Sequence, residues 1–380
     1  MKKALKRISS YLLSTASILE IHVLASIFSF SLFGYILLVA KIMQPDLDDH
    51  IEISNRMMKG EMIGHPFFFF FLQLFSFFSG NINALVFAAF LCFSVAQYGK
   101  IIQSIRLCET IREKQASRLL IILILGCQIA IGFLALQIGY VKGSLSPNFF
   151  HNGTLLLSIP PSLYLLNESI LFIKDKKRKG IFRMLLSGIL ILLIKPSFLF
   201  CWIPVMPVFV LITEGAGRKF MKFLQISATL FICLLAQSLF LKSSSIDFKV
   251  VFDPFFLFGT IKNHFFVFIA ACTFPIVTII PGWSGWKTGI GLLLAMMTLQ
   301  GLVLSFCFYD KIKNIVSANM IWQSSIIHYI LLLYGSLILT DLLERKKFIY
   351  AILPIVALLA QVLSGVQYLR LSIFMRTFFF

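Results

Sequence analysis

Four carboxylates, Asp46, Asp48, Asp49 and Glu52, fall within a few residues of one another, and Glu61 follows in the same polar interval. Neighbouring carboxylates of this kind can take a proton from an attacking hydroxyl or hold a divalent cation. Four of the six histidines, His50, His65, His151 and His264, also lie in polar intervals between apolar runs. Imidazole changes protonation near neutral pH and can donate or accept a hydrogen bond. Lys195 stands between two apolar half-runs, in Lys195-Pro196-Ser197-Phe198. A cation there is costly unless it reaches water or meets an anion. His151-Asn152-Gly153-Thr154 and Asn319-x-x-Trp322 add amides, a hydroxyl and an aromatic face.

Each group has a structural alternative. Pro45 can open a helix whose acidic first turn complements the helix dipole, and Glu52 with Arg56 has the spacing of an ordinary i,i+4 pair. Asn152 or Thr154 can cap a helix beginning near Leu155, which leaves His151 unexplained. Trp322 suits a membrane interface, and a lone His22 or His264 needs only a hydrogen-bond partner.

The elements that must position these residues are set by composition. Of the 380 residues 59% are hydrophobic and 13% charged, with a mean hydropathy of +0.92; no water-soluble core accommodates that much apolar surface. Apolar runs at 18–43, 119–140, 223–241, 289–308 and 348–366 approach or exceed the roughly 20 residues that carry a helix across about 30 Å of hydrocarbon. The expected fold class is all-α, a polytopic bundle with about ten or eleven spans. It forms one transmembrane domain over 1–380, with no soluble domain inserted. The net charge of +18 does not point to nucleic acid in such a chain. Lys and Arg gather at 2–7, 100–118, 174–183, 218–222, 287 and 345–347, and the positive-inside rule places these clusters and the N-terminus in the cytoplasm. The run at 18–43 is expected to be a signal anchor, because no small-residue cleavage site precedes Gln44.

This topology puts residues 44–65 outside as a first loop containing an amphipathic helix. The Phe-rich stretch 66–78 is short for a crossing and suits an interfacial or re-entrant helix leading into a span at 81–98. Residues 181–213 are expected to form a short hairpin turning at Lys195-Pro196-Ser197, a shape tolerated where protein or a water-filled cavity surrounds it. Further spans are expected at 155–173, 266–281 and 323–341. The 42 phenylalanines are expected to face lipid. The seven scattered cysteines form neither a disulfide framework nor a CxxC metal site and read as small core hydrophobes.

In order along the chain, a first span, the pair Asp48-Asp49, an amphipathic helix and Gly64-His65-Pro66 opening a short aromatic stretch resemble the first loop of GT-C type integral membrane glycosyltransferases. The motifs at His151-Asn152-x-Thr154, Lys195-Pro196-Ser197-Phe198, Phe274-Pro275 and Asn319-x-x-Trp322 resemble those of multi-pass proteins associated with bacterial surface polysaccharide. The resemblance implies transfer of a sugar from a polyprenyl-phosphate carrier, in the bacterial cytoplasmic membrane, to a glycan or lipid acceptor on the outer face. It assigns the role of base or acceptor-orienting group to Asp48 or Asp49. His65, His151, Asn152, Lys195, His264, Asn319 and Trp322 are then substrate-binding candidates, and a divalent cation is a candidate cofactor with no ligands assigned. The chain departs from the oligosaccharyltransferases of this class in having no WWDYG-like motif.

A polysaccharide polymerase or ligase of the O-antigen type is an alternative, although Arg56 is the only arginine expected in an outer loop between spans. A lipid-linked sugar transporter or flippase is another. Against it, Glu20, Lys41, Glu168 and Lys195, the charged residues near spans, show no evident pairing in sequence. The charge asymmetry predicts that single cysteines within 174–183 and 345–347 react with a membrane-impermeant maleimide only after the cytoplasm is opened, and that cysteines at positions 151 and 264 react from outside. Labelling of position 151 from the cytoplasm alone would overturn the topology.

Overall fold

The computed structural model describes residues 10–39, 45–60, 66–79, 81–131, 153–174, 180–242, 248–253, 269–312, 315–317 and 322–375. Helices dominate them. Ser17 opens α1 (Ile18–Phe33) with a capping box, its side chain accepting from Glu20 N while Glu20 accepts from Ser17 N; reciprocal bonds of this kind satisfy two donors that the first turn would leave exposed. A six-residue π-helical segment, Gly34–Val39, extends α1. α2 (Pro45–Met58) begins at the proline, as expected, and α3 (Pro66–Phe75) is the Phe-rich helix. α4 (Ile82–Arg112) is followed by α5 (Arg118–Cys127), α6 (Gly153–Ile173), α7 (Gly180–Ile194), α8 (Leu199–Glu214) and α9 (Arg218–Lys242). The short helices α10 (Thr273–Ile279) and α11 (Trp283–Trp286) precede α12 (Gly289–Cys307), α13 (Trp322–Glu344) and α14 (Phe348–Met375). Three short strands, β1 (Phe248–Phe252), β2 (Phe308–Ile312) and β3 (Ile315–Ser317), make an antiparallel sheet ordered β1-β2-β3.

Among the described residues eight helices are long and apolar enough to cross a membrane, and three shorter apolar helices accompany them. The protein is therefore an all-α, multi-pass membrane protein by the length and composition of its helices. Burial ranks those helices. Of the apolar window in α13, 89% is buried, against 28% in α1 and 22% in α9, so α13 is the central post and α1 and α9 face outward. α13 packs against α5, α10, α12 and α14. A second layer pairs α4 with α1 and α6, and α6 with α7.

Small and hydroxylated residues let these helices approach. Ser158, Ser162 and Ser169 on α6, and Ser336 and Thr340 on α13, are buried, and each returns its hydroxyl to a carbonyl of its own helix at 2.7–2.9 Å. Five cysteines, Cys92, Cys108, Cys127, Cys201 and Cys272, are buried thiols, in keeping with the core reading. The phenylalanines correct the expectation. Phe33, Phe68, Phe93, Phe198, Phe223 and Phe274 are among the largest fully buried side chains, so a substantial share of the Phe content fills gaps between helices.

Ion pairs gather helix ends from across the chain. Arg118 binds Glu20 at 2.8 Å and Ser14; Arg112 binds Asp341 at 3.0 Å and Glu344 at 2.7 Å; Lys174 binds Glu113 at 2.9 Å; Lys219 binds Glu214 at 3.1 Å and the Ile173 carbonyl at 2.7 Å. These contacts join the start of α1 and α5, the ends of α4, α6 and α13, and the α8–α9 junction at one end of the bundle, the basic end. Among the described basic residues Arg112, Lys114, Arg118, Lys174, Arg183 and Lys219 share it.

One close approach depends on glycine. Beyond α5 the chain donates Ile131 N to the Gln361 carbonyl of α14 at 3.1 Å, and a β-carbon on Gly365, one turn further along α14, would collide with the Ile129 carbonyl oxygen. Gly365→Ala is expected to destabilise the folded protein by about 1–3 kcal/mol or more, read as a lower midpoint of thermal unfolding in detergent. Gly126→Ala, whose β-carbon would meet Val362 at an ordinary 3.5 Å, should leave the midpoint within a degree or two. Equal behaviour of the two variants would refute the contact.

Candidate functional site

Following α6 from Ile173 back to Gly153 leads from the basic end to the opposite end, roughly 30 Å away at 1.5 Å per residue. There α6 begins, α7 ends and α13 begins. α7 stops at Ile194 because Lys195 adopts an extended backbone (φ −167°, ψ 112°) and Pro196 starts a 3-10 turn. Proline supplies no N–H to the preceding turn and disfavours helical geometry in the residue before it. The two arms of the expected hairpin exist, but α7 packs chiefly on α6, while α8 packs on α9 and α12. Ser197 and Phe198 of the same motif are buried, which anchors the turn.

The Lys195 side chain rises from this break. Its ammonium lies 3.5 Å from Thr154 Oγ1 and 4.8 Å above the centre of the Trp322 ring. Lys195 and Trp322 are half-buried and Thr154 is buried. Three motifs far apart in sequence therefore meet: the Lys-Pro-Ser-Phe turn, the start of α6, and the start of α13. Gly153 makes the meeting possible, since a β-carbon there would strike the rings of Phe93 and Phe68. α3 packs against α4, α6 and α7, and α2 docks on α3 through Gln73 Nε2, which donates to Ser54 Oγ at 2.9 Å, and Ser54 Oγ, which donates to the Phe69 carbonyl at 3.2 Å.

Asp48 and Asp49 stand in the first half of α2, adjacent to this end through α3, with their side chains outside the described residues. His65, His151, Asn152, His264 and Asn319 also lie outside the described residues. Among the described residues no group of three or more His, Cys, Asp or Glu is placed to hold a metal ion. His22 meets the bland expectation, with Nδ1 2.6 Å from the Tyr98 hydroxyl. Phe274-Pro275 serves packing, because Phe274 is fully buried and lies against Gly335 of α13. His328 Nε2 lies 2.7 Å from Cys272 Sγ in the core.

Two features of the sequence reading are corrected. Glu20 and Glu168 do have partners: Arg118 holds Glu20, and Arg183 lies 3.7 Å from the buried Glu168. Lys100 does not end a span at a cytoplasmic loop. It lies inside α4, is 1% exposed, and sets its ammonium 4.0 Å over the Tyr329 ring of α13. Twelve residues separate it from Arg112 at the basic end, about 18 Å along the helix. Around it the Tyr329 hydroxyl contacts Ser104 Oγ at 2.7 Å and accepts from Gln128 Nε2 at 2.6 Å, while Gln97 Nε2 donates to Gln128 Oε1 at 3.1 Å. The signal was present in the spacing. Gln97, Lys100 and Ser104 recur at i, i+3 and i+7, a polar stripe on one helix face.

Fold and side chains together define a multi-pass helical membrane protein with a cation at a helix break near one end and a second cation buried mid-bundle. Comparison with protein-family models, with curated proteins and with solved structures gives no match.

The contact between Lys195 and Trp322 predicts a measurable coupling. In a double-mutant cycle of Lys195→Met and Trp322→Leu, read by thermal unfolding in detergent, the coupling free energy should be about 0.5–1 kcal/mol. A coupling indistinguishable from zero would remove Trp322 from the site.

Proposed function

We propose that the chain is a GT-C type membrane glycosyltransferase, moving a sugar from a polyprenyl-phosphate-linked donor to a surface glycan or lipid acceptor at the end of the bundle opposite the basic end. The observation that carries this reading is the convergence of Lys195, Thr154 and Trp322 at the end of the bundle where α3 packs, the helix on which α2 with its acidic pair docks. In the reaction an acceptor hydroxyl attacks the anomeric carbon, and the bond from that carbon to the phosphate oxygen breaks. The acceptor's proton goes to a carboxylate, and the leaving phosphate gains charge. Lys195 would offset that charge. The helix N-terminus at Gly153 adds a dipole that favours an anion. Trp322 offers a face for a sugar, Asp48 or Asp49 would take the proton, and the Phe-rich α3 supplies apolar surface for a prenyl tail.

A second reading, transport of a lipid-linked sugar, draws on Lys100. Ionisable groups deep within a bundle commonly mark pathways. The seam around Lys100 is closed, however, by Tyr329, Gln128, Gln97 and Ser104, all of them buried, which favours a fixed structural cation over a pathway.

Asp48→Asn and Asp49→Asn separate catalysis from helix capping. A general base loses proton affinity in the Asn variant, so transfer should fall by roughly 10² to 10⁴ for the true base, while the amount of protein in the membrane stays the same. Lys195→Met should also abolish most transfer. Glu52→Gln is the control, since a capping role weighs it equally with the aspartates. The measurement is sugar transfer from a polyprenyl-phosphate donor by purified protein, or surface polysaccharide per unit of membrane protein. Equal, mild effects from all three acidic substitutions would refute the assignment.

A further inference from the structure

At the basic end, a cavity of about 460 Å³ opens between α4, α6, α8, α12 and α13. Its walls divide by chemistry. Ile173, Phe209, Leu337 and Ile338 form an apolar slot; Thr288 and Tyr334 line it beside the start of α12, and Arg112, beside Asp341, and Lys174 line it as well. Arg112 is the unusual member. Its side chain is 7% exposed, and its Nη2 binds both Asp341 and Glu344. Among the described residues its buried Nη1 has no hydrogen-bond partner. A guanidinium is a fork of five donors, and a buried donor without an acceptor carries a desolvation cost that a bound oxyanion would relieve.

The first turn of α12 enters the same cavity. Thr288 caps that helix by accepting from Gly291 N at 3.4 Å, and it also contacts the Tyr334 hydroxyl at 3.2 Å. The N-terminus of a 19-residue helix brings a partial positive charge and free backbone N–H groups. The carboxylates of the cavity are already held, Asp341 by Arg112 and Glu214 by Lys219.

From these observations we infer a second ligand site: the cavity takes the phosphate head group of an anionic membrane lipid, with Arg112 Nη1 and the α12 N-terminus on the phosphate and the lipid's hydrocarbon along the apolar slot. The occupant follows from the combination. A free anion would have no use for the slot, and an uncharged lipid would leave the guanidinium donor unmet. Pockets between helices at the basic membrane face suit such head groups. The site lies about 30 Å from the Lys195 break and does not depend on the reaction proposed there.

The test uses the full chain purified in detergent and titrated with phosphatidylglycerol, phosphatidylcholine or inorganic phosphate, with bound molecules counted by native mass spectrometry. Phosphatidylglycerol should bind saturably, one per chain at this site, and phosphatidylcholine at least tenfold more weakly. Gly289 lines the cavity, and a β-carbon there meets nothing nearer than Phe209 Cζ at 3.8 Å. Gly289→Leu should therefore fill the slot without disturbing the backbone and abolish the tight phosphatidylglycerol site. Arg112→Lys keeps a charge for Asp341 and Glu344 but loses the fork, and should weaken binding roughly tenfold. Asp341→Asn removes a neighbouring negative charge and should strengthen it. Indifference of phosphatidylglycerol binding to Gly289→Leu, or equal retention of the two lipids, would overturn the proposal. Inorganic phosphate binding that Gly289→Leu leaves untouched would do the same, by reducing the cavity to a phosphate site.

Discussion

A peptide N–H or C=O left without a partner in hydrocarbon costs several kcal/mol, and that constraint organises this molecule. It confines the chain within the membrane to helices and sends buried hydroxyls back to carbonyls of their own helix. It also makes every interruption of a helix expensive unless other groups surround the break. The breaks among the described residues are consequently few and well supported. At Lys195 the turn is held by buried Ser197 and Phe198 and by the start of α6. Beyond Cys127 the unwinding backbone is met by α14, where Gly365 permits the approach and Gln361 accepts from Ile131 N. Gln361 donates in turn to the carbonyls of Ala270 and Ala271 at 3.1 and 2.7 Å, just before α10. A single glutamine side chain and its backbone thereby serve two interruptions.

The same constraint separates the two ends. At the basic end, chain junctions are closed by ion pairs among long side chains; the more exposed ones, such as Lys174 with Glu113, contribute little alone, whereas the Arg112 side chain is buried. Their value lies in gathering: Arg112 draws two carboxylates of α13 to the end of α4, and Lys219 ties the α8–α9 junction to the last turn of α6. At the opposite end, hydroxyl, indole and ammonium groups of different elements meet around one lysine, and the α2–α3 contact is made by Ser54 and Gln73, both fully buried. One end is a charged clasp and the other a polar recess.

Features that depend on local pattern were legible in the sequence. Long apolar runs gave most of the spanning helices, although the run at 119–140 forms a helix only over Arg118–Cys127 among the described residues; Pro45 marked the start of α2; Lys195-Pro196-Ser197 marked a break. Basic clusters marked several junctions that meet at one end of the bundle. Features set by distant partners were not legible. A lysine at position 100, followed by arginines at 106 and 112, reads as the start of a loop, and only the Tyr329 ring, contributed by a helix more than two hundred residues later, reveals a buried cation. Phenylalanine carries no label that tells lipid from a neighbouring helix, so Phe68 and Phe93, which wall the start of α6, were indistinguishable from lipid-facing residues. The candidate site was legible as separate motifs, and its meeting of Lys195, Thr154 and Trp322 was not, because adjacency of helix ends is a tertiary fact.

The contrast between the two membrane lysines follows from the backbone around each. Lys100 sits in the middle of a continuous 31-residue helix, where the peptide groups near it are engaged in intrahelical bonds and cannot turn toward a ligand. Its ammonium is held against an aromatic face in a seam of buried amides and hydroxyls, an arrangement that offsets part of the cost of burial while fixing the register of α4 against α13. Lys195 occupies a position where one helix has ended and the next has not begun; its own N–H is still held by the Ile191 carbonyl at 2.7 Å and Pro196 has no N–H, so it is the Lys195 side chain that is presented there. Its side chain is only half-buried, and the helix beside it begins rather than ends there, favouring negative charge. Equal charge thus has different settings in the two places: Lys100 is enclosed in a seam of buried side chains, and Lys195 stands half-buried at a helix break.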